Sequence, residues 1–421
     1  MMQSLQSEKQ KQFNIYPLLV FFYVISAIAF ECTPSTARIA TIAIYMLFFA
    51  GVVYLYLHQK IKVNMYISFI TVMSLYVYIR AFSAMTTAAT GLRTAYVFLT
   101  CCALCSIVFW LTIRYMEVIH ALLAANIIGS LILVGRIVSA YGGIAKIIDL
   151  AIHTNSEFRI GKLLTNENVI GLFLAGAVLA SVATLLIKKR TILYKILVGI
   201  CIVIFATMLL LTGSRKALLF AAVGPVFLLT LVYRKAEILK KIILWFMIIG
   251  AVIGLVYLLR TAPLFATIYK RFELLLEAIF GESRYKPDRV REYMVSAGIQ
   301  DFLDIPLFGK GAGRSYALFR TYSHNNFVEL LMNYGVVGFL LYYIPYLALL
   351  VQLAKRSFLG DIYAMYFLVY VVMQLVLGIG WVNYYDRICQ LITAAAWGYL
   401  TGCIEKEGNV QKEGRESFQD S

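Results

Sequence analysis

Residues 196–233 read ILVGICIVIFATMLLLTGSRKALLFAAVGPVFLLTLVY. These are two apolar runs, each close to the roughly 20 residues that an α-helix needs to cross a bilayer, joined by Thr212-Gly213-Ser214-Arg215. Arg215 and Lys216 are the only charges in the stretch. Two apolar runs joined by so short a polar stretch predict a tight helical hairpin with Arg215 at its turn. The rest of the sequence repeats this pattern. Apolar runs at 14–31, 39–57, 63–82, 94–113, 117–138, 167–187, 196–213, 216–233, 242–260, 326–353, 362–380 and 387–404 predict about twelve spans in an all-α transmembrane bundle.

Composition agrees. Of the 421 residues, 61% are hydrophobic and 14% charged, against about 45–50% and 25% in soluble domains. A single soluble core stops growing near roughly 250–300 residues, so most of this apolar surface must face lipid. That excludes a soluble enzyme and a disordered chain, and it assigns the net charge of +16 to basic loops near anionic lipid, with no nucleic-acid partner. Lys and Arg in short loops set orientation. With the N-terminus inside, the cytoplasmic connections hold Lys60, Lys62, Arg114, Lys188 to Arg190, Lys195, Arg234, Lys235, Lys240, Lys241, Lys355 and Arg356, and the opposite loops hold fewer. The expected division is a cytoplasmic N-terminus 1–13, spans in 14–260, a large extracytoplasmic loop 261–325, spans in 326–404 and an unstructured cytoplasmic tail 405–421. The apolar run after Lys9 and Lys11 is long and eleven more follow it, which favours an uncleaved anchor over a secretory signal. The seven cysteines lie mostly in spans, with Cys101, Cys102 and Cys105 as small packing residues, and their spacing suggests no metal site.

The segment 261–325 is the one long break in the pattern. Leu264, Phe265, Ile268, Phe272, Leu275, Leu276 and Ile279 fall at helical spacing with charges between them, predicting an interfacial amphipathic helix. A second amphipathic stretch covers 290–303. Pro306-Leu-Phe-Gly309-Lys310-Gly311-Ala-Gly313 then forms a backbone-exposed loop, and His324 sits at the mouth of the next span. Lys270, Arg271, Lys286 and Lys310 read as solvated loop charges. Arg291 and His324 read as functional, since charged groups beside a glycine loop at the lipid edge are costly to keep otherwise. Arg215 has two readings: a snorkelling turn arginine, or an anion-binding guanidinium beside the free N–H groups of a helix start. Arg80, Arg136 and His120, in or near spans, rank below it. No P-loop, no outer Asp-x-Asp and no Gly-x-Ser-x-Gly elbow occurs.

Several segments resemble the bacterial O-antigen polymerase and ligase family. Thr212-Gly-Ser-Arg215 is similar to its Thr/Ser-x-Ser-Arg turn. Arg291 followed by Pro306-Leu-Phe-Gly-Lys-Gly resembles its arginine-to-Pro-Leu-x-Gly-x-Gly segment. His324-Asn-Asn-Phe-Val-Glu-Leu-Leu through Gly335-Val-Val-Gly338 resembles its His-Asn helix start, and Asn166-Glu-Asn168 a weaker Asn-x-Asn element. The family often has a Trp shortly after the loop arginine, where this chain has Tyr293, Met294 and Val295.

The resemblance implies a GT-C-like polytopic glycosyltransferase of the bacterial cytoplasmic membrane, with its catalytic loop at 261–325 on the outer face and both termini inside. It implies a glycan donor on undecaprenyl diphosphate, a lipid-linked acceptor, and no cofactor or metal. Arg215 and Arg291 would hold the diphosphate, His324 would serve the acceptor hydroxyl, and Arg289, Arg314, Asn326, Gly309, Gly311 and Asn168 would contact substrate. A chain-length regulator and a flippase are the implied protein partners. The favoured activity is a polymerase for O-antigen, capsular or exopolysaccharide repeats. A ligase to lipid A core is the alternative within the family, and a lipid-linked oligosaccharide flippase or other transporter the alternative outside it. A transporter predicts repeated halves and mid-membrane charges, and the sequence displays neither clearly.

Overall fold

The computed structural model describes residues 14–31, 36–58, 63–83, 88–153, 158–164, 166–187, 191–280 and 286–419, and every regular element among them is helical. The expected N-terminal segment 1–13, with Lys60, Lys62 and Lys188 to Arg190, lies outside these residues. The first helices are α1 (Ile15–Ala29), α2 (Ala37–His58), α3 (Met65–Arg80), α4 (Ala88–Arg114), α5 (Glu117–Tyr141) and the short α6 (Ile144–His153). Next come α7 (Glu167–Ile187), α8 (Ile192–Thr212), α9 (Arg215–Tyr233) and α10 (Ile238–Thr261). After a 3-10 turn at Pro263–Phe265, the segment before the last long helices holds α11 (Ala266–Phe280), α12 (Lys286–Asp304) and α13 (Arg314–Phe319). The chain closes with α14 (Asn326–Leu359), α15 (Ile362–Gly378) and α16 (Arg387–Gln419).

Each of the twelve apolar runs falls on one of these helices. Among the described residues, eight helices are long and apolar enough to cross a membrane, and α1, α3 and α15 are apolar but shorter. Only 11% of the most apolar stretch of α10 is buried in the protein, against 67% for α7. Water could not solvate that exposed surface at about 25 cal/mol per Å², so lipid must. The protein is an all-α polytopic membrane protein.

Side-chain caps begin several helices, with Asn14, Asn64, Thr191, Ser214, Asn325 and Asp361 each accepting a backbone N–H of the first turn. Such caps replace the partners that lipid cannot supply. In the bundle α1 packs on α5, α4 on α16, α7 on α8 and α9, and α14 on α3 and α15. The ends of α1, α3, α5, α8 and α15 and the starts of α4, α7, α9, α14 and α16 share one end of the bundle. Hydrogen bonds Arg80–Gly309, Tyr141–Arg159, Arg159–Thr212, Asn325–Ile379 and Arg387–Glu31 stitch that end together.

One expectation changes, and the structure adds a helix that no apolar run marks. The connection between 138 and 167 carries the helix α6, whose Ile147 and Ala151 are buried while Lys146 and Asp149 stay exposed. Ten residues are too few to span, so only their helical spacing marks them. The tail from Glu405 is helical to Gln419, as α16 runs on past its apolar half, and Arg356 pairs with Glu407 at 2.8 Å.

Candidate functional site

The hairpin turn comes first. Gly213 ends α8 at φ +62°, and the Ser214 side chain accepts from the Ala217 N–H at 3.4 Å, so Arg215 is the first residue of α9. The Thr212 hydroxyl donates to the Leu209 carbonyl at 2.7 Å and accepts from the Ser214 N–H at 3.2 Å. From below, α7 presses on the turn at Gly171, where an added Cβ would lie 2.8 Å from Ala217 Cβ. Arg159 crosses above it and donates to the Thr212 carbonyl at 2.7 Å. Asn168, expected as a substrate contact, accepts from Arg159 at 3.1 Å, and Glu167 pairs with the same guanidinium at 2.6 Å. The structure therefore gives Asn168 a part in holding Arg159 on the turn. Arg271, expected to be solvated, lies beside Gly213, its Cδ 3.5 Å from where a Cβ would sit. The next residue, Lys216, is half-buried and donates its amine to the Gly380 carbonyl. The charges of Arg215 and Arg291 both reach it.

His324 lies close enough to this group for the charges of Arg291 and Lys216 to act on its imidazole. It has φ +62°, and Arg320 nearby has φ +61°; these are the two non-glycine residues with left-handed backbone among the described residues. A non-glycine residue there costs about 1–3 kcal/mol and persists only where its surroundings hold it, often at functional sites. The hold here is visible. The buried carboxylate of Glu329 accepts the Ser323 N–H at 2.6 Å, and the Ser323 hydroxyl donates to the Asn325 carbonyl at 2.8 Å. Tyr322 packs on the imidazole with ring centroids 4.2 Å apart. Burial, then the positive charges of Arg291 and Lys216, push the His324 pKa down to about 4. The imidazole is therefore neutral at pH 7 with an unprotonated nitrogen, and the same positive charges disfavour its protonated form until a bound anion offsets them.

The glycine loop does something other than expected. Gly309, Gly311 and Gly313 have φ of +65°, +110° and +79°, so all three use glycine's freedom, but the stretch from Gly309 to Gly313 is buried. It threads into a break in α14 at Gly335 (φ +62°). The N–H groups of Lys310 and Gly311 donate to the Met332 and Asn333 carbonyls, and those of Val336 and Val337 donate back to Pro306 and Leu307. Arg80 donates to the Gly309 carbonyl at 2.6 Å and Ser83 to that of Lys310 at 2.6 Å. The backbone of Gly309 and Gly311 is thus committed to the protein, and their tight approach is to α14 and α3.

The remaining expected contacts divide. Arg289 is exposed on α12. Arg314 makes a two-pronged pair with Asp301, its closest contact 2.6 Å. Lys310, read as solvated, is buried between Asp301 at 2.9 Å and Asp304 at 2.6 Å. Burial works to raise the Asp301 carboxyl, but hydrogen bonds from Arg314 and Lys310 outweigh it and hold the carboxyl below its ordinary range. Asn326 is buried, accepts from the N–H groups of Asn383 and Tyr384 at 2.9 and 3.0 Å, and donates to the Tyr343 hydroxyl. It ties α14 to the segment 379–386.

A cavity of about 520 Å³ opens at this end of the bundle, next to Tyr322. Its wall includes Trp381, Tyr385, Asp386 and a Glu31–Arg387 ion pair of 2.5 Å. A second cavity of about 410 Å³ shares Val97, Tyr316 and Tyr385 with it. Burial raises the carboxyl pKa of Asp386, which lies between α15 and α16. No spacing rule links Glu31 to Arg387, 356 residues away, so this wall was invisible in the sequence. Among the described residues no group of three or more His, Cys, Asp or Glu is arranged to hold a metal ion.

Residues 200–343 match the family model described as O-antigen ligase, a span that contains the turn at Arg215, Arg291, the glycine loop and His324. No curated protein matches the chain.

Proposed function

We propose an activity for a chain whose residues 200–343 belong to the O-antigen polymerase and ligase family of glycosyltransferase-like membrane enzymes. The chain transfers a glycan from undecaprenyl diphosphate to a sugar hydroxyl of another lipid-linked repeat unit, on the outer face of the cytoplasmic membrane. The observation that carries this reading is His324, held in a left-handed conformation at the start of α14 by the Glu329–Ser323 bond and Tyr322, inside the stretch 200–343 that the family model matches.

Glycan transfer from a diphosphate needs fixed positive charge where the leaving group's charge develops, and a proton acceptor for the incoming hydroxyl. Arg215 and Arg291 supply the charge, with Lys216 beside them. The acceptor oxygen attacks the anomeric carbon, and the bond from that carbon to the diphosphate oxygen breaks with its electron pair leaving on undecaprenyl diphosphate. The hydroxyl proton passes to the imidazole of His324. One displacement inverts the anomeric centre. In this reading arginine stands where many transferases use a divalent ion, and the reaction proceeds without metal. The neighbouring lipid bilayer delivers both substrates laterally.

The ligase reading keeps the same donor chemistry and changes only the acceptor to lipid A core; the name of the matched family favours it as the second reading. The test is a deletion strain complemented with wild type, Arg215→Ala, Arg291→Ala or His324→Ala at matched expression, its surface glycan resolved on a gel. A ladder with wild type alone, and single lipid-linked repeats facing outward in the variants, supports the polymerase. Long polymer left on its lipid carrier supports the ligase. Repeats trapped on the inner face would contradict both.

A further inference from the structure

The 520 Å³ cavity contains chemistry the transfer step does not use. Its wall carries carboxylates at Glu31 and Asp386, one guanidinium at Arg387, and aromatic faces at Trp381, Tyr385 and Tyr322. Glu31 already offsets the charge of Arg387, and Asp386 leaves the wall with no net positive charge for a diphosphate, so this is no extension of the cationic patch. Planar carboxylate and guanidinium groups bridge neighbouring hydroxyls, and aromatic faces cover the apolar C–H surface of a sugar ring. A concave space with a few convergent polar groups among aromatic side chains is the usual form of a small-ligand site. Tyr322 joins the cavity to the reaction centre, since it lines the wall and packs on His324 at 4.2 Å.

We propose that this cavity is the subsite for the acceptor glycan: Glu31, Arg387 and Asp386 grip the hydroxyls of its terminal sugar while Trp381 and Tyr385 cover its faces, with the reacting hydroxyl directed past Tyr322 to His324. The proposal rests on the glycan-transfer reading above. The adjoining 410 Å³ space, reached past Val97 and Tyr316, takes the next sugar of the acceptor. Asp386 keeps one oxygen on the Cys389 N–H at 3.0 Å, which fixes its carboxyl plane for the other oxygen to meet the ligand.

The test uses the repeat-unit oligosaccharide from the polymerase-deletion strain, freed of its lipid diphosphate by mild acid. A glycan without diphosphate has no reason to occupy the arginine patch. Its binding to the full-length chain in nanodiscs is measured by calorimetry for wild type, Arg215→Ala, Val97→Trp, which fills the junction of the two spaces, and Glu31→Gln, which keeps the side-chain shape. Size-exclusion retention checks that each variant is folded. Arg215→Ala is expected to bind like wild type, Glu31→Gln about tenfold or more weaker, the loss expected for a charged hydrogen bond, and Val97→Trp weaker by at least as much because its indole occupies the space the glycan needs. No binding by wild type, unchanged binding by both folded cavity variants, or loss of binding in Arg215→Ala each overturns the subsite. Failure of the transfer reading would appear separately, as a normal glycan ladder in cells carrying Arg215→Ala.

Discussion

The Glu329 carboxylate, one turn inside α14, accepts the backbone N–H of Ser323 at 2.6 Å, and through that bond it holds the residue next to it, His324, in a left-handed conformation. Glu329→Ala leaves the buried Ser323 N–H unsatisfied and removes this hold, and a misplacement of about 1 Å costs on the order of a hundredfold in rate. We expect kcat to fall by about that factor with KM little changed, while Glu329→Gln, which keeps an oxygen in place, stays within about tenfold of wild type. Steady-state kinetics of the reconstituted variants decides it.

The pH profile follows from His324. Its folded pKa is depressed to about 4, so the imidazole stays neutral as pH falls from 7 through the ordinary value of about 6.5. The acid limb of kcat/KM is therefore expected near pH 4 and not near 6.5, because that limb reports the free enzyme. Arg291→Gln removes one of the charges that depress it and should move the limb upward in pH. A limb that stays at 6.5 in the wild type would show His324 to be ordinary and solvated.

At Gly309 an added methyl group would lie 2.5 Å from the Gly335 nitrogen, on a backbone of φ +65°. Gly309→Ala must therefore push the loop out of the break in α14. A loss of at least about 2 kcal/mol is expected, seen as a fall of several degrees in the melting temperature of detergent-solubilised protein. Arg291→Ala should leave the melting temperature within a degree or two of wild type while abolishing chain growth, which separates the loop's supporting role from chemistry.

Asp301→Ala leaves Lys310 and Arg314 without their shared carboxylate, and removing one partner of a buried pair costs roughly 3 kcal/mol. The Asp301 carboxyl is held below its ordinary pKa, so its stabilisation is complete at neutral pH and is lost only as pH falls below about 4. The difference in melting temperature between wild type and Asp301→Ala should therefore be full at pH 7 and shrink toward pH 3.

What the sequence made legible was the periodic and the local. Every apolar run sits on a helix, the hairpin turn falls at 212–215, and the amphipathic pattern from Leu264 onward is a 3-10 turn followed by the helix α11, with Phe265 and Ile268 buried. Lost to the sequence were pairings across long separations. The glycines at 309–313 advertise left-handed backbone, but only the fold shows the broken helix that they pack into. Lys310 looked like any loop lysine because Asp301 and Asp304 are brought to it by the turn at Pro306. Arg159 and Arg271 converge on Gly213 from segments that share no motif, and the Glu31–Arg387 wall joins the first helix to the last.

The most direct test of the central claim is chemical. Purified chain in nanodiscs, treated with EDTA, is given lipid-linked repeat units, and both longer lipid-linked glycan and released undecaprenyl diphosphate are quantified. The account predicts one undecaprenyl diphosphate per repeat added, unaffected by EDTA, and reduced at least about a hundredfold by either Arg215→Ala or His324→Ala. Turnover that persists in both variants, or that depends on an added divalent metal, would contradict it.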